Sequence, residues 1–227
     1  MSYQLDFSFL SKSWPAFVAG TWLTIQLTSV AIALGFALGT LCALTRVYAH
    51  PLLRRLVAGY VEVIRNTPLL MQIFIVYFGI ASLGLKLSAD VSAVIALVVN
   101  MGAYTTEIMR AGIEAIPKTQ VESADVLGLS RLQVIAHVML LPAIERVYPA
   151  LTGQFVLLML ASSVTSQISA EELTATAERV QSQTYRSFEV YVVVALVYLL
   201  LSLFFRVGFW AIGTVLFVRR RRLRTTR

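Results

Sequence analysis

Residues 13–45 contain no charged side chain, an unbroken run of 33 positions. A helix needs about 20 apolar residues to cross the hydrocarbon core of a bilayer, so this run is long enough to span it with residues to spare. Other apolar runs follow: one begins after Asn66-Thr67-Pro68 and reaches Leu85, one runs from Val91 to about Met109, one occupies residues 147–170, and one occupies residues 190–218, interrupted by Arg206. Backbone groups in lipid must be satisfied within their own segment, which leaves helices as the spanning form. With 58% hydrophobic and only 14% charged residues, the chain exceeds the apolar content of ordinary soluble domains. The expectation is an all-α integral membrane protein, with five transmembrane helices in a single domain over residues 1–227.

Charge placement orients it. The net charge is +7, but the basic residues have no aromatic-interleaved surface to sit on, and Arg219 to Arg222 directly follow an apolar run, so the excess is a topology signal and not a nucleic-acid footprint. Segments 46–65, 110–146 and 219–227 together carry 14 Lys and Arg, against 4 in segments 1–13, 84–90 and 169–189. By the positive-inside rule the N-terminus is outside, the C-terminus is cytoplasmic, and residues 114–142 face the cytoplasm. The first 12 residues lack the basic, apolar and small-residue order of a signal peptide and are expected along the membrane surface. The single cysteine, Cys42, can form no internal disulfide.

Residues 118–142 are polar and charged among apolar neighbours and cannot lie in lipid. Glu122, Ser123, Ala124 and Asp125 suit a short surface helix. Gly128 can take the positive φ that closes such a helix, Leu129 follows it, and Ser130 stands where an N-cap would open a second helix through Arg131, Leu132 and Gln133. The product is a helix-turn-helix knuckle. Polar residues within the spans mark the other candidate site. Asn100 lies in the third span; Ser163, Ser166 and Gln167 belong to a polar crowd in the second half of the fourth; both sets are expected to face a helix neighbour, a subunit interface or water. Glu107 sits three residues before Arg110, which sits four before Glu114, a spacing that lets these charges pair on one helix face, with a pathway-lining role for Glu107 as the other reading. Residues 169–189 are expected as a polar external loop, and Pro68 as the opening of the second span.

The knuckle residues Glu122-Ser123-Ala124 and Gly128 resemble the EAA-x-x-x-G motif by which membrane subunits of ABC importers dock an ATPase. Ile64 to Leu70 resembles the IRGTPLL segment of the polar amino-acid permeases of the histidine, glutamine and arginine type. Ala103 to Arg110 is similar to their AYTAEIxRGG segment, Ile116-Pro117-Lys118 to the approach to the dock, and Glu172-Leu173-Thr174 to an ELT element in the external loop. Four departures stand out: Thr119 replaces a glycine, Ser123 an alanine, Pro142 lies one position late, and Leu160 to Ser163 replaces a charged KDTS-like segment. The resemblance implies a permease subunit in a bacterial cytoplasmic (inner) membrane that moves a polar amino acid. Its partners would be two ATP-binding-cassette ATPase subunits, a second permease, the same or similar, and an external solute-binding protein. Glu122, Ser123, Ala124, Gly128 and Leu129 would couple it to the ATPase.

The chain has no G-x-x-x-x-G-K-[ST] loop to cradle ATP phosphates, and Gly79 and Gly84 lack the lysine, so they are turn glycines. We expect no enzymatic activity, cofactor or metal in the chain by itself. The other classes to weigh are a self-contained secondary transporter or channel, which would show internal repeats and discontinuous helices, and a non-transporting membrane scaffold.

Overall fold

The computed structural model describes residues 4–217; the basic tail counted above lies outside them. Helix α1 (Leu10–Tyr48, 39 residues) takes in the whole charge-free run with Lys12 and Arg46 near its two ends. Three of its threonines, Thr21, Thr24 and Thr28, donate to carbonyls one turn back at 2.7, 3.0 and 2.7 Å, whereas the buried Thr40 hydroxyl finds no partner among the described residues. The segment before α1 is held against the far end of the chain, where Asp6 donates its N–H to Glu189 at 3.2 Å and Arg186 donates to the Gln4 carbonyl at 3.1 Å.

The run expected as the second span, from Pro68 to Leu85, is not by itself a helix of membrane length. Helix α2 (Pro51–Arg65) and helix α3 (Leu69–Ser82) meet at a bend of 111° over the break 66–68. Pro68 stands at the N-cap of α3 as its position in the sequence required, but α3 ends at Ser82 and carries a π-helical turn over Ile75–Gly79. Four helices are long and apolar enough to cross a membrane alone, and the count reaches five only with the bent pair as one span.

Helix α4 (Ala89–Glu114), capped by Ser88, forms the centre of the bundle, with Leu97, Met101 and Met109 fully buried. It lies directly on α1. A Cβ added at Gly35 would stand 2.5 Å from Met101 Cβ, and one at Gly39 would collide with Thr105 and with the Gly102 carbonyl. The GxxxG spacing of those two glycines therefore permits the backbone approach it permits in other membrane helix pairs.

Helix α5 (Lys118–Val126) is the first helix of the knuckle. The second helix and the fourth span prove to be one element, α6 (Arg131–Ile168), with a π-helical turn over Val134–Leu140 and a 3₁₀ end over Ser162–Ile168. Pro142 stands two residues after the end of that π turn, and a widened turn tolerates a missing N–H better than a regular ladder does.

Residues 169–189 are not an irregular loop. They hold helix α7 (Leu173–Thr184), whose Leu173, Thr176, Ala177 and Val180 are buried. Composition concealed it because eight of its twelve residues are polar or charged, and the buried stripe shows only when α7 is packed between α1 and α8 (Ser187–Leu216). Glu172 explains the attachment. Its fully buried carboxylate caps α7 through the N–H groups of Thr174 and Ala175 at 2.8 and 3.1 Å, and accepts from Tyr198 of α8 at 2.7 Å and Thr24 of α1 at 3.3 Å. The outer face of α8, with Leu200, Phe204, Val207 and Trp210 all exposed, suits lipid.

Candidate coupling face and membrane pathway

The knuckle closes by two local devices. At the end of α5, Gly128 has φ +75°; its N–H donates to the Asp125 carbonyl at 3.0 Å, and the Leu129 N–H donates to the Ala124 carbonyl at 3.2 Å. These are the paired bonds of a Schellman termination. Two residues later Ser130 opens α6 with a capping box: its N–H donates to Gln133 Oε1 at 2.8 Å and its Oγ accepts the Gln133 N–H at 3.5 Å. The turn is therefore specified by Gly128, Ser130 and Gln133 together, and it projects its residues in two directions. Ala124 is buried and Leu129 half-buried against the bundle. Val126, Leu127 and Leu132 are 87%, 78% and 79% exposed, with Glu122 and Ser123 also at the surface. Ser123 turns its hydroxyl back onto the Thr119 carbonyl at 2.7 Å, so the serine that stands where the motif has alanine keeps its polar group satisfied within the helix. A cleft of about 430 Å³ lies beside it, lined by Thr119, Gln120, Ser123 and His137.

Just above the knuckle, Glu107 is a shared anion. Arg110 bonds it at 2.7 Å, Arg46 of α1 reaches it at 3.3 Å, and Arg110 also meets Glu114 at 2.6 Å. The Arg110 pairs follow from sequence spacing. Arg46 does not, because 61 residues separate it from Glu107.

Asn100 is buried and donates to Gln72 Oε1 at 2.9 Å. Gln72 in turn donates to the carbonyls of Ile64 and Thr67, at 2.8 and 3.0 Å. One amide thus serves carbonyls freed at the 111° break, and its bond from Asn100 ties that break to α4. Gln72 went unmarked in the sequence, although a lone amide in a charge-free run is itself a signal. In the fourth span the polar crowd divides. Ser163 closes on the Leu160 carbonyl at 2.8 Å, whereas Ser166 and Gln167 both approach Glu178 of α7, at 3.3 and 3.5 Å. Asn100 and Glu107 lie on α4, and among the described residues no hydrogen bond or ion pair joins either of them to Ser163, Ser166 or Gln167 on α6, so the five sequence candidates share no single network. Among the described residues no group of three His, Cys, Asp or Glu could hold a metal.

Residues 35–214 match the family described as the binding-protein-dependent transport system inner membrane component. The chain belongs to that family. This inner membrane component is 34% identical over 204 residues to the probable glutamine ABC transporter permease protein GlnM of Bacillus subtilis, covering 90% of this chain and 94% of the relative. It is 31% identical over 208 residues to the nopaline transport system permease protein NocM of Agrobacterium fabrum, covering 87% and 86%. The solved structure of an amino acid ABC transporter with histidines superposes with a TM-score of 0.83 at 33% identity, covering 93% of this chain and 99% of that one. The MetNI methionine ABC transporter, at 19% identity and a TM-score of 0.75, shares the fold. The component is a multi-pass inner-membrane permease without enzymatic activity, working with a separate ATPase subunit and a substrate-binding protein. The bent second span is therefore a feature of an importer permease here, and no mark of a secondary transporter.

Proposed function

We propose that the permease carries a polar amino acid inward, paired with a second permease subunit of the same or similar chain and driven by two ATPase subunits docked on the knuckle. The observation that carries this reading is the exposed Val126, Leu127 and Leu132 on a turn held by Gly128 and the Ser130 capping box, with Glu122 beside them. An apolar patch rimmed by charge at the end of a lipid-buried bundle suits a protein partner. Ser163, Ser166, Gln167 and Glu178 are the pathway side of the proposal, since they hold polar groups at the end of α6 opposite the knuckle. Amino-acid transport is carried over from GlnM, whose name states glutamine, and from the amino acid ABC transporter solved with histidines.

The test is ATP-driven uptake by the complete transporter in vesicles, with a panel of polar amino acids. Glu122→Ala and Gly128→Val should insert normally yet lose uptake and co-purification of the ATPase, with Gly128→Val the more severe. Truncating one side of a charged interface contact typically costs about 2–5 kcal/mol, which is tenfold or more in assembly. Normal uptake by both variants at wild-type protein levels would remove the knuckle from coupling.

A further inference from the structure

Between α2 and the knuckle ends of α1 and α4 lies a cleft of about 410 Å³, where Gly59, Glu62 and Arg65 face Arg46 and Glu107. Two of its four charges are already committed, because Glu107 is held by Arg46 and again by Arg110. The other two make no ion pair, although Arg65 adds a weaker attraction to Glu107 from a distance. Glu62 and Arg65 are three apart on α2, a spacing at which opposite charges ordinarily pair, yet among the described residues neither enters an ion pair. Glu62 accepts instead from the Asn66 side chain at 2.7 Å, which holds the carboxylate still without neutralising it. Arg65 lies with its guanidinium 5.5 Å from the centre of the Tyr104 ring, a contact that orients the planar fork and leaves its N–H edge free. Beside them, a Cβ placed on Gly59 would meet no atom within 4 Å, so the space between the charges is open.

A held cation and a held anion in one open cleft are the complement of a zwitterion. A simple anion such as a phosphate or lipid headgroup would meet Arg65 but be opposed by Glu62, which no ion pair neutralises. A free α-amino acid carries its carboxylate and ammonium one carbon apart and offends neither. We propose that this cleft is an amino-acid site at the knuckle end of the transport path, with Arg65 taking the α-carboxylate through two N–H groups, Glu62 taking the α-ammonium, and the side chain directed over Gly59. The inference rests on the amino-acid reading above and adds to it a place and two recognition residues outside the polar stretch of the fourth span.

The experiment uses the purified permease and ATPase complex in lipid nanodiscs without the binding protein. The probe is whichever of glutamine, histidine and arginine the complete wild-type transporter imports, with its α-amide, which lacks the carboxylate, and its N-acetyl derivative, which lacks the ammonium. Wild type should bind both derivatives at least tenfold more weakly than the parent. Arg65→Gln should weaken the parent at least tenfold and leave the α-amide unchanged, removing that preference alone. Glu62→Gln should do the same for the N-acetyl derivative alone. A merely structural role for either residue would weaken all three ligands together, and that result overturns the proposal. So does competition by inorganic phosphate as strong as by the parent, or binding whose preferences survive both substitutions. If no amino acid is imported, the functional reading fails and the cleft falls with it; if import stands and the selectivity pattern does not appear, only the cleft fails.

Discussion

Two glycines with opposite surroundings separate backbone approach from backbone freedom at the residue scale. Gly39 has no room for a side chain, since an added Cβ meets Thr105 and a main-chain carbonyl that cannot rotate away. Gly39→Val should force α1 from α4, costing about 1–3 kcal/mol as overpacking does elsewhere. Gly59→Ala, in open space on α2, should leave thermal stability unchanged or raise it slightly, because alanine is the better helix former. Equal melting temperatures for the two variants in detergent would refute this account of the α1 and α4 contact. Glu107 supplies a second residue-scale expectation. Glu107→Gln leaves Arg46 and Arg110 close together without their shared anion, and a lost hydrogen bond to a charged group is worth about 1.5–3 kcal/mol. The double variant Arg46→Gln, Glu107→Gln should therefore be more stable than the sum of its single variants predicts, and simple additivity would show that the Arg46 pair contributes nothing.

The bent span is the feature to test among the elements. Its 111° break survives because Gln72 serves the carbonyls of Ile64 and Thr67 while Asn100 holds Gln72. Gln72→Leu removes the side-chain donor from the Thr67 carbonyl and leaves the Ile64 carbonyl only the Thr67 hydroxyl at 3.4 Å, whereas Asn100→Leu removes only the outer bond, and hydrogen bonds between membrane helices average only about 0.6 kcal/mol. We expect Gln72→Leu to lose most of its uptake and Asn100→Leu to lose little. Vesicle uptake at matched protein levels checks the order, and a larger loss for Asn100→Leu would place it on the pathway instead. Helix α7 depends on its neighbours in the same way. Glu172→Ala removes the cap and the bonds to Tyr198 and Thr24 together, so α7 should become susceptible to protease while α1 and α8 stay folded.

Over the whole molecule, the orientation drawn from the basic residues makes a direct prediction. In a Cys42-free background, a cysteine at Ser182 near the end of α7 should be labelled by an impermeant reagent from outside, and one at Thr225, beyond the described residues, only from inside. External labelling of Thr225→Cys in sealed cells would invert the arrangement. It would also put the knuckle on the wrong side of the membrane for an ATPase.

What the sequence determined by itself was local. Charge-free runs located the membrane helices because hydrocarbon rejects charge at every position independently. Gly128 and Ser130 marked the knuckle because helix ends are closed by residues within one turn, and the Glu107, Arg110 and Glu114 pairs follow from helical spacing. Only the tertiary structure decided what depends on residues far apart in the chain. Asn100 and Gln72 are 28 positions apart, Arg46 and Glu107 are 61, and Thr24 and Glu172 are 148; no periodicity connects them. For that reason the bend in the second span, the buried helix α7 inside an expected loop, and the cleft that leaves Glu62 and Arg65 uncommitted appear only when the helices are packed. A polar group in a membrane protein takes its meaning from the partner that the neighbouring helix brings to it.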